Sequence, residues 1–309
     1  MIPCHRRKGV EMESKESLAY EEFKNRFKLF IEQNPKVITN TLSNIFSMRI
    51  VGNKTHGDLA EIGISEFINQ FMYDFKSSHV GKDLFRSKEH EEDILVKSLV
   101  GQQKGVEIPI SLKAYGDGPL QLSTDKEQVF FRYLQKQGEC IEKANTIKKV
   151  FASKEFSKLD SINVMPLIYD EKHKRCNIMV FDFQRAWKSV AKILFVDKGQ
   201  GFDEKTGKII PAKGRKHPIY LFIDSDNKYI CEIRYGDASA NALQRGFWTH
   251  TKKAFTYFDS LTNGWVDYSL NDVLVKLFSI ALNASRAGHE KANDILLKDI
   301  EKIKESNGI

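Results

Sequence analysis

Three polar residues near the middle of the chain, Asp93, Ser111 and Lys113, have types and spacing that could do chemistry. Asp93 heads a short apolar run, and Ser111 and Lys113 end a second run that starts at Val106. A carboxylate can hold a hard cation, and a lysine side chain can orient or deprotonate a water molecule. The stretch 91–121 is therefore the predicted site, and the elements around it must position these groups.

Strand periodicity separates the predicted site from the core. Successive side chains of a strand point to opposite faces, so the run 106–113 has one apolar and one polar face. The apolar face would pack against a core and holds Val106, Ile108, Ile110 and Leu112. The polar face holds Glu107, Pro109, Ser111 and Lys113. A turn-rich segment, 115–119, follows and predicts a sharp reversal of the chain.

A helix predicted over 58–75 brings a further acid towards this stretch. Its apolar residues recur at the helical period, and Glu61 falls on the edge of the buried arc, one turn before Ile64. Buried carboxylates are costly unless they are paired with a cation or a metal, which makes Glu61 a candidate site residue. The alternative is that Glu61 lies at the rim of the stripe and reaches water or a lysine.

The order of these elements resembles the PD-(D/E)xK nuclease superfamily, and specifically type II restriction endonucleases. The resemblance rests on Glu61 in GDLAEIGISEF, Asp93 in EEDILV, and Ser111 and Lys113 in ISLKAYGDGPLQLST. It implies an α/β fold with a mixed central β-sheet flanked by helices and a restriction-endonuclease-like core. It also implies Mg²⁺, with Asp93 as the principal metal ligand, Glu61 or Glu107 as a second acidic contact, and Lys113 acting on the attacking water.

The chain departs from the family pattern at one position of the catalytic set. The family places Asp or Glu two residues before the lysine, where this chain has Ser111. Glu107 shares the face of Ser111 but lies four residues earlier, about 13 Å along a strand. Glu61, arriving from the helix, is the preferred replacement for the missing carboxylate.

The resemblance implies a site-specific deoxyribonuclease that cuts double-stranded DNA as a homodimer, with a cognate methyltransferase protecting host DNA. Two alternatives remain open. The first is a non-catalytic nucleic-acid-binding protein with a degenerate nuclease core, for which Ser111 is the main argument. The second is a structure-specific repair nuclease that has no fixed cutting sequence.

The basic balance of the chain suits a polyanionic partner but also suits an ordinary soluble surface. The net charge is +7 and the isoelectric point is about 9.0. The segment 197–216 is rich in Gly and Lys and is interpreted either as a flexible DNA-contacting loop or as a surface hairpin. The residues predicted to contact DNA are Gln121, Lys213, Arg215, Arg234, Gln244, Arg245, Lys252 and Lys253.

A rival metal site is possible in the C-terminal half, where Asp224 and Glu232-Ile233-Arg234 repeat the acid and acid-x-base pattern. Arginine stays protonated at ordinary pH and is therefore a poor activator of water. This site ranks below the first.

Local patterns predict the remaining elements. A helix is expected over 13–33, and Thr124 with Glu127 has the spacing of a capping box at the start of another helix. The segment 186–195 can be read as helix or strand. Further expectations are hairpins over 162–183 and 219–235 and a helix core over 243–258.

No clear linker divides the chain, and with the resemblance this predicts a single nuclease domain over 12–309, with DNA-recognition elements in its C-terminal half, after a basic leader at 1–11. Hydrophobic residues make up 41% of the chain, which is enough for a sizeable core. No apolar run approaches the roughly 18 residues of a membrane span, and the four cysteines lack metal-site spacing. The prediction is a cytosolic protein with reduced cysteines.

Overall fold

The computed structural model has a mixed α/β architecture with several helices and a multi-stranded mixed sheet. It describes residues 15–33, 64–80 and 92–270, except positions 66, 116–117, 123, 126, 158, 160–162, 171, 235–245 and 263. The predicted site residues Glu61, Gln244 and Arg245 lie outside the described residues, as do the basic leader and the C-terminal segment.

Residues 64–65 and 67–71 are helical. The α-helices whose bounds are fully described are α1 (Lys15–Gln33), α2 (Val129–Gln137), α3 (Ala144–Phe151), α4 (Lys154–Ser157) and α5 (Phe183–Ser189). The strands that precede α5 are β1 (Phe75–His79), β2 (Ile94–Ser98), β3 (Glu107–Tyr115), β4 (Pro119–Leu122), β5 (Cys140–Ile141), β6 (Asn163–Asp170) and β7 (Arg175–Phe181). The later strands are β8 (Lys192–Val196), β9 (Gln200–Asp203), β10 (Lys208–Pro211), β11 (Ile219–Ile223), β12 (Tyr229–Arg234), β13 (Gly246–His250), β14 (Phe258–Ser260) and β15 (Val266–Asp267).

The first sheet carries the predicted site and has the order β1-β2-β3-β6-β7, with β14 and β15 both pairing with β7. Its pairs are antiparallel except for β3 and β6, which run parallel. A parallel pair needs a long crossover, which here contains α2, α3 and α4. In the β2–β3 ladder Ile94 is opposite Ile110, so the start of β2 lies beside the middle of β3.

One face of this sheet packs against α1 and the helical residues 67–71. The buried residues of α1 are four apart and form a single apolar stripe, namely Ala19, Phe23, Phe27 and Ile31. The stripe meets the alternating buried side chains Ile94, Val96, Ile108, Ile110 and Leu112. The apolar face predicted for the run 106–113 is therefore the core face, although Val106 at its start is only partly buried.

A second, antiparallel sheet has the order β4-β13-β12-β11-β8-β5. With α2 to α5 it encloses a second core, which also reaches Val164, Ile168, Met179 and Phe181 on the other face of the first sheet. Trp187 of α5 lies at the centre of an aromatic group that includes Phe222 and Phe247. The first sheet is therefore covered on both faces, and its polar residues are accessible only where this cover ends.

Two helix predictions are wrong in part or in whole. The helix expected over 58–75 ends at 71, and Phe75 begins β1. The Asn69 side chain binds the outer edge of this strand: its amide group donates to the backbone oxygen of Ser77 and accepts from the backbone amide of Ser77. The helix core expected over 243–258 is not formed by 246–250, which is β13. There Phe247 and Thr249 are buried while Trp248 and His250 are half-exposed, which is the two-residue period of a strand.

Gly246 is expected to tolerate no side chain, because it begins β13 with a φ of +131°. A Cβ built there would lie 2.5 Å from the backbone oxygen of Leu122 and 2.9 Å from the backbone nitrogen of Thr124. Gly246→Ala should therefore lower the free energy of unfolding by at least about 1–3 kcal/mol, the usual cost of such backbone strain. Urea denaturation would measure this, with Gly118→Ala as the control, since a Cβ at Gly118 meets no atom within 4 Å. Equal losses in both variants would contradict the expectation.

Candidate active site

The backbone of Asp93 continues the first sheet beyond the end of β2. Its amide nitrogen donates to the carbonyl oxygen of Ile110 at 3.0 Å, and its carbonyl oxygen accepts from the amide of Val80 at 3.0 Å. Asp93 is thus held between β1 and β3 although the strand itself starts at Ile94. Its side chain has the opposite parity to the buried Ile94, so it lies on the polar face of β3.

One oxygen of the Asp93 carboxylate collects three donors from β3. Oδ2 accepts from the amide of Leu112 at 2.7 Å, from the hydroxyl of Ser111 at 3.1 Å and from the ammonium of Lys113 at 3.3 Å. Hydrogen bonds to a charged acceptor are stronger than neutral ones. The carboxylate is therefore fixed in position before any ligand arrives.

The second carboxylate oxygen of Asp93 has no hydrogen-bond partner among the residues that the structure describes. The Asp93 side chain is 19% exposed and that of Lys113 is 30% exposed, whereas Ser111 is buried. The three donors of β3 thus all bind Oδ2 of Asp93, and Oδ1 is left for a ligand. This arrangement can hold a cation and place an ammonium group beside it.

Glu107 is on the predicted face but is not brought to Asp93. In the β2–β3 ladder it lies opposite Lys97, whose ammonium is 3.8 Å from its carboxylate in an exposed ion pair. Asp93 is at the other end of the hairpin, four positions further along the ladder, which is about 13 Å. Glu107 would have to leave its position on β3 to share a metal ion with Asp93.

The donor set at Asp93 fits a magnesium ion in part. Mg²⁺ keeps several waters and is usually bound through one or two carboxylates together with substrate phosphates. Asp93 supplies one carboxylate, and the second predicted one, Glu61, lies outside the described residues. Within the described residues, no group of three or more His, Cys, Asp or Glu side chains is placed to hold a metal ion.

The residues predicted to contact DNA fall in different places on the second sheet and its loops. Gln121 of β4 lies opposite Trp248 of β13. Lys252 and Lys253 are exposed in the turn after β13, with the ammonium of Lys253 5.6 Å from the ring centre of Tyr229. Lys213 is exposed in the loop after β10. The segment 197–216 is a hairpin, which is one of the two alternatives raised by its composition.

Arg215 and Arg234 are both paired with Glu232, which is only 3% exposed. Arg234 donates from Nε and Nη2 to one Glu232 oxygen, and the guanidinium of Arg215 is 3.7 Å from the other. The Arg234 guanidinium also lies 3.1 Å over the ring centre of Trp248. Burial lowers the pKa of Arg234 from its ordinary value, and the charge and hydrogen bonds of Glu232 oppose that effect.

These contacts argue against the rival metal site. The Glu232 carboxylate is already neutralised by two guanidinium groups, and the Asp224 carboxylate accepts the amides of Asp226 and Lys228 within its turn. Neither acid is presented to a common ligand in the described part of the chain.

Sequence patterns did not predict two features, one at Asp93 and one on the second sheet. The first is the backbone amide of Leu112, which makes the shortest bond to Asp93; only the antiparallel register reveals it. The second is the stacking of Arg234 on Trp248. The spacing of Glu232 and Arg234, two residues apart on one strand face, was a signal for their pairing, but no local pattern indicates Arg215 or Trp248 as neighbours.

Compared with known proteins, the chain matches no family model, no curated protein sequence and no solved structure. None of the described helices is long and apolar enough to cross a bilayer.

Proposed function

We propose that the protein is a Mg²⁺-dependent endonuclease that cuts double-stranded DNA, of the type II restriction kind. The observation that carries this proposal is the Asp93 carboxylate, held by Ser111, the Leu112 amide and Lys113, with one oxygen left for a ligand. An acid that can hold a metal ion, with a lysine beside it on the adjacent strand, suits metal-assisted hydrolysis of a phosphodiester.

Each residue of this site has a defined part in the proposed reaction. Asp93 and Glu61 would hold Mg²⁺, which when bound offsets charge on the phosphate and lowers the pKa of a coordinated water. Lys113, whose Nζ is 3.3 Å from Asp93 Oδ2, would as an ammonium group orient the attacking water and offset the charge that develops on the phosphate, or as a neutral amine deprotonate that water. Ser111 does not replace a carboxylate ligand; its hydroxyl fixes the rotamer of Asp93.

The fold supports the same proposal in its arrangement of strands. The strand β2, which follows directly after Asp93, and the strand β3, which contains Ser111, Leu112 and Lys113, are adjacent and antiparallel. The strand β3 then pairs in parallel with β6. We assign this mixed sheet with its flanking helices as a restriction-endonuclease-like core. The homodimer and the cognate methyltransferase belong to the same proposal. A two-fold dimer would present two active sites to opposite DNA strands, and the methyltransferase would protect host DNA from cleavage.

The experiment is to incubate the purified protein with unmethylated phage DNA in Mg²⁺ and in EDTA at several salt concentrations. Discrete fragments that require Mg²⁺ are expected, and a smear would instead identify a nuclease without a fixed cutting sequence. DNA affinity should fall by about 0.9 log unit per log unit of salt for each phosphate contact. Intact DNA in every Mg²⁺ sample would overturn the proposed cleavage.

A non-catalytic DNA-binding protein is the second candidate function, and a specific observation favours it. The described residues offer only one carboxylate at the site, because Ser111 stands where the family pattern has a second acid. Intact DNA that is retarded on a gel and released by salt would identify this function.

A further inference from the structure

The hairpin β9–β10 and the loop that follows it enclose a pocket of about 370 Å³ against the second sheet. Its lining includes Gln200 of β9, Arg215, Lys216 and His217 of the loop, and Arg234 at the end of β12. The pocket is on a different sheet from Asp93 and Lys113, so the site described above does not account for it.

The lining of this pocket is basic. Three of its residues, Arg215, Lys216 and Arg234, carry a positive charge, and none of its lining residues is acidic. The Glu232 carboxylate pairs with both arginines and compensates only part of their charge. Lys216 makes no ion pair with any described residue. The pocket therefore has an excess of positive charge for an anion.

The basic groups are fixed before a ligand binds. Arg215 donates from Nε to the carbonyl oxygen of Gln200 at 3.0 Å, and its own backbone oxygen accepts from the amide of Gly199 at 3.1 Å. Arg234 is held between Glu232 and the ring of Trp248. Guanidinium groups that are already ordered lose little conformational entropy when they bind a planar or tetrahedral anion.

Two glycines, Gly201 and Gly214, line the pocket. A Cβ at Gly201 would lie 2.9 Å from the Cβ of Ala212, whereas a Cβ added at Gly214 would meet no atom within 4 Å, so Gly214 borders open space. Glycine at such a position allows a ligand to approach the backbone closely. The volume exceeds what a bare phosphate ion fills and lies at the lower end of small-ligand sites, which begin at about 300 Å³.

We infer that this pocket binds a phosphate group that belongs to a nucleotide unit. Arginine recognises phosphate through two parallel hydrogen bonds, and lysine adds a point charge. The phosphate has two possible sources, a DNA strand and a free mononucleotide. The assignment to a DNA strand rests on the proposed function, whereas phosphate binding by itself does not.

The test uses two variants that leave the Glu232 ion pairs intact, Lys216→Ala and Gly214→Leu, with Lys208→Ala as the matched control. Lys208 is an exposed lysine of β10 that does not line the pocket. Binding is measured by fluorescence anisotropy for a labelled DNA duplex and by calorimetry for a deoxynucleoside monophosphate and inorganic phosphate. Thermal melting of each variant verifies that it is folded.

Lys216→Ala is expected to weaken binding by about tenfold, the size of one charge-assisted hydrogen bond. Gly214→Leu is expected to weaken binding because its side chain would fill space beside the ligand. Lys208→Ala should bind like the wild type. Loss for the duplex alone identifies a DNA phosphate, and loss for the monophosphate alone identifies a free nucleotide; either result supports the pocket. Unchanged binding of all three probes in both folded variants would overturn it. Duplex that wild type binds but does not cut in Mg²⁺ would reject the nuclease proposal while leaving this comparison valid.

Discussion

Asp93→Asn and Lys113→Met are each expected to lower the rate of Mg²⁺-dependent DNA cleavage by at least about 100-fold, the usual cost of losing one preorganised charged group. Asparagine keeps an oxygen that can accept from the Leu112 amide, so the substitution removes the negative charge but keeps the side chain in place. Lys113 is 30% exposed, so its replacement by methionine should leave the folded structure intact. Cleavage of plasmid DNA and urea denaturation of the same samples measure the two effects.

The controls for this prediction lie on the same hairpin. Lys97→Met and Glu107→Gln alter the exposed ion pair at its other end and should leave the cleavage rate unchanged. Glu61→Gln should instead cause a loss as large as that of Asp93→Asn, since Glu61 is the proposed second metal ligand. Full activity of Lys113→Met would reject the site. Loss in Glu107→Gln with full activity in Glu61→Gln would assign the second ligand to Glu107.

Glu232→Ala is expected to lower the free energy of unfolding by about 3–5 kcal/mol, the cost of breaking a buried ion pair from one side. The carboxylate is almost fully buried, and its loss leaves the guanidinium groups of Arg215 and Arg234 without compensation. Urea denaturation of the variant and of the wild type measures the change. Glu127→Ala is the control, because Glu127 is exposed and makes no ion pair within the described residues.

A double variant shows whether the loss comes from the ion pair itself. Removing both partners costs less than leaving one charge unpaired, so Glu232→Gln combined with Arg234→Met should recover part of the stability lost in Glu232→Gln. If the double variant loses as much stability as Glu232→Gln and Arg234→Met lose in sum, Glu232 and Arg234 are not energetically coupled. Wild-type stability in Glu232→Ala would contradict the proposed role of the carboxylate altogether.

Local periodicity was sufficient to predict much of the fold. The helical pattern over 13–33 predicted α1, although the buried stripe of that helix is Ala19, Phe23, Phe27 and Ile31 while the apolar Leu18 and Leu29 are exposed. The alternation over 106–113 predicted both the core face and the polar face of β3. The hairpins of β6 with β7 and of β11 with β12 also occur where turn residues separate two apolar runs. These features depend on neighbouring residues, so their physical causes are present in the sequence.

Local patterns failed at the start of one helix and where a strand pairs with distant segments. The start of α2 has the spacing of a capping box at Thr124 and Glu127, yet the Asp125 carboxylate accepts the amides of Phe130 and Phe131. Residues 246–250 contain helix-compatible apolar spacing, but pairing of β13 with β4 and β12 makes them a strand. Strand propensity is decided by such neighbours rather than by the segment alone.

The sequence by itself determined which residues could do chemistry, because the types of Asp93, Ser111 and Lys113 and their strand parity are local properties. Only the tertiary structure decided how they meet. The antiparallel register places the Leu112 amide on Asp93 and keeps Glu107 at the far end of the hairpin. It likewise brings Arg215, Glu232 and Trp248 together from separate strands and a loop. Cross-strand distances follow from register and sheet order, which are set by the packing of the whole core.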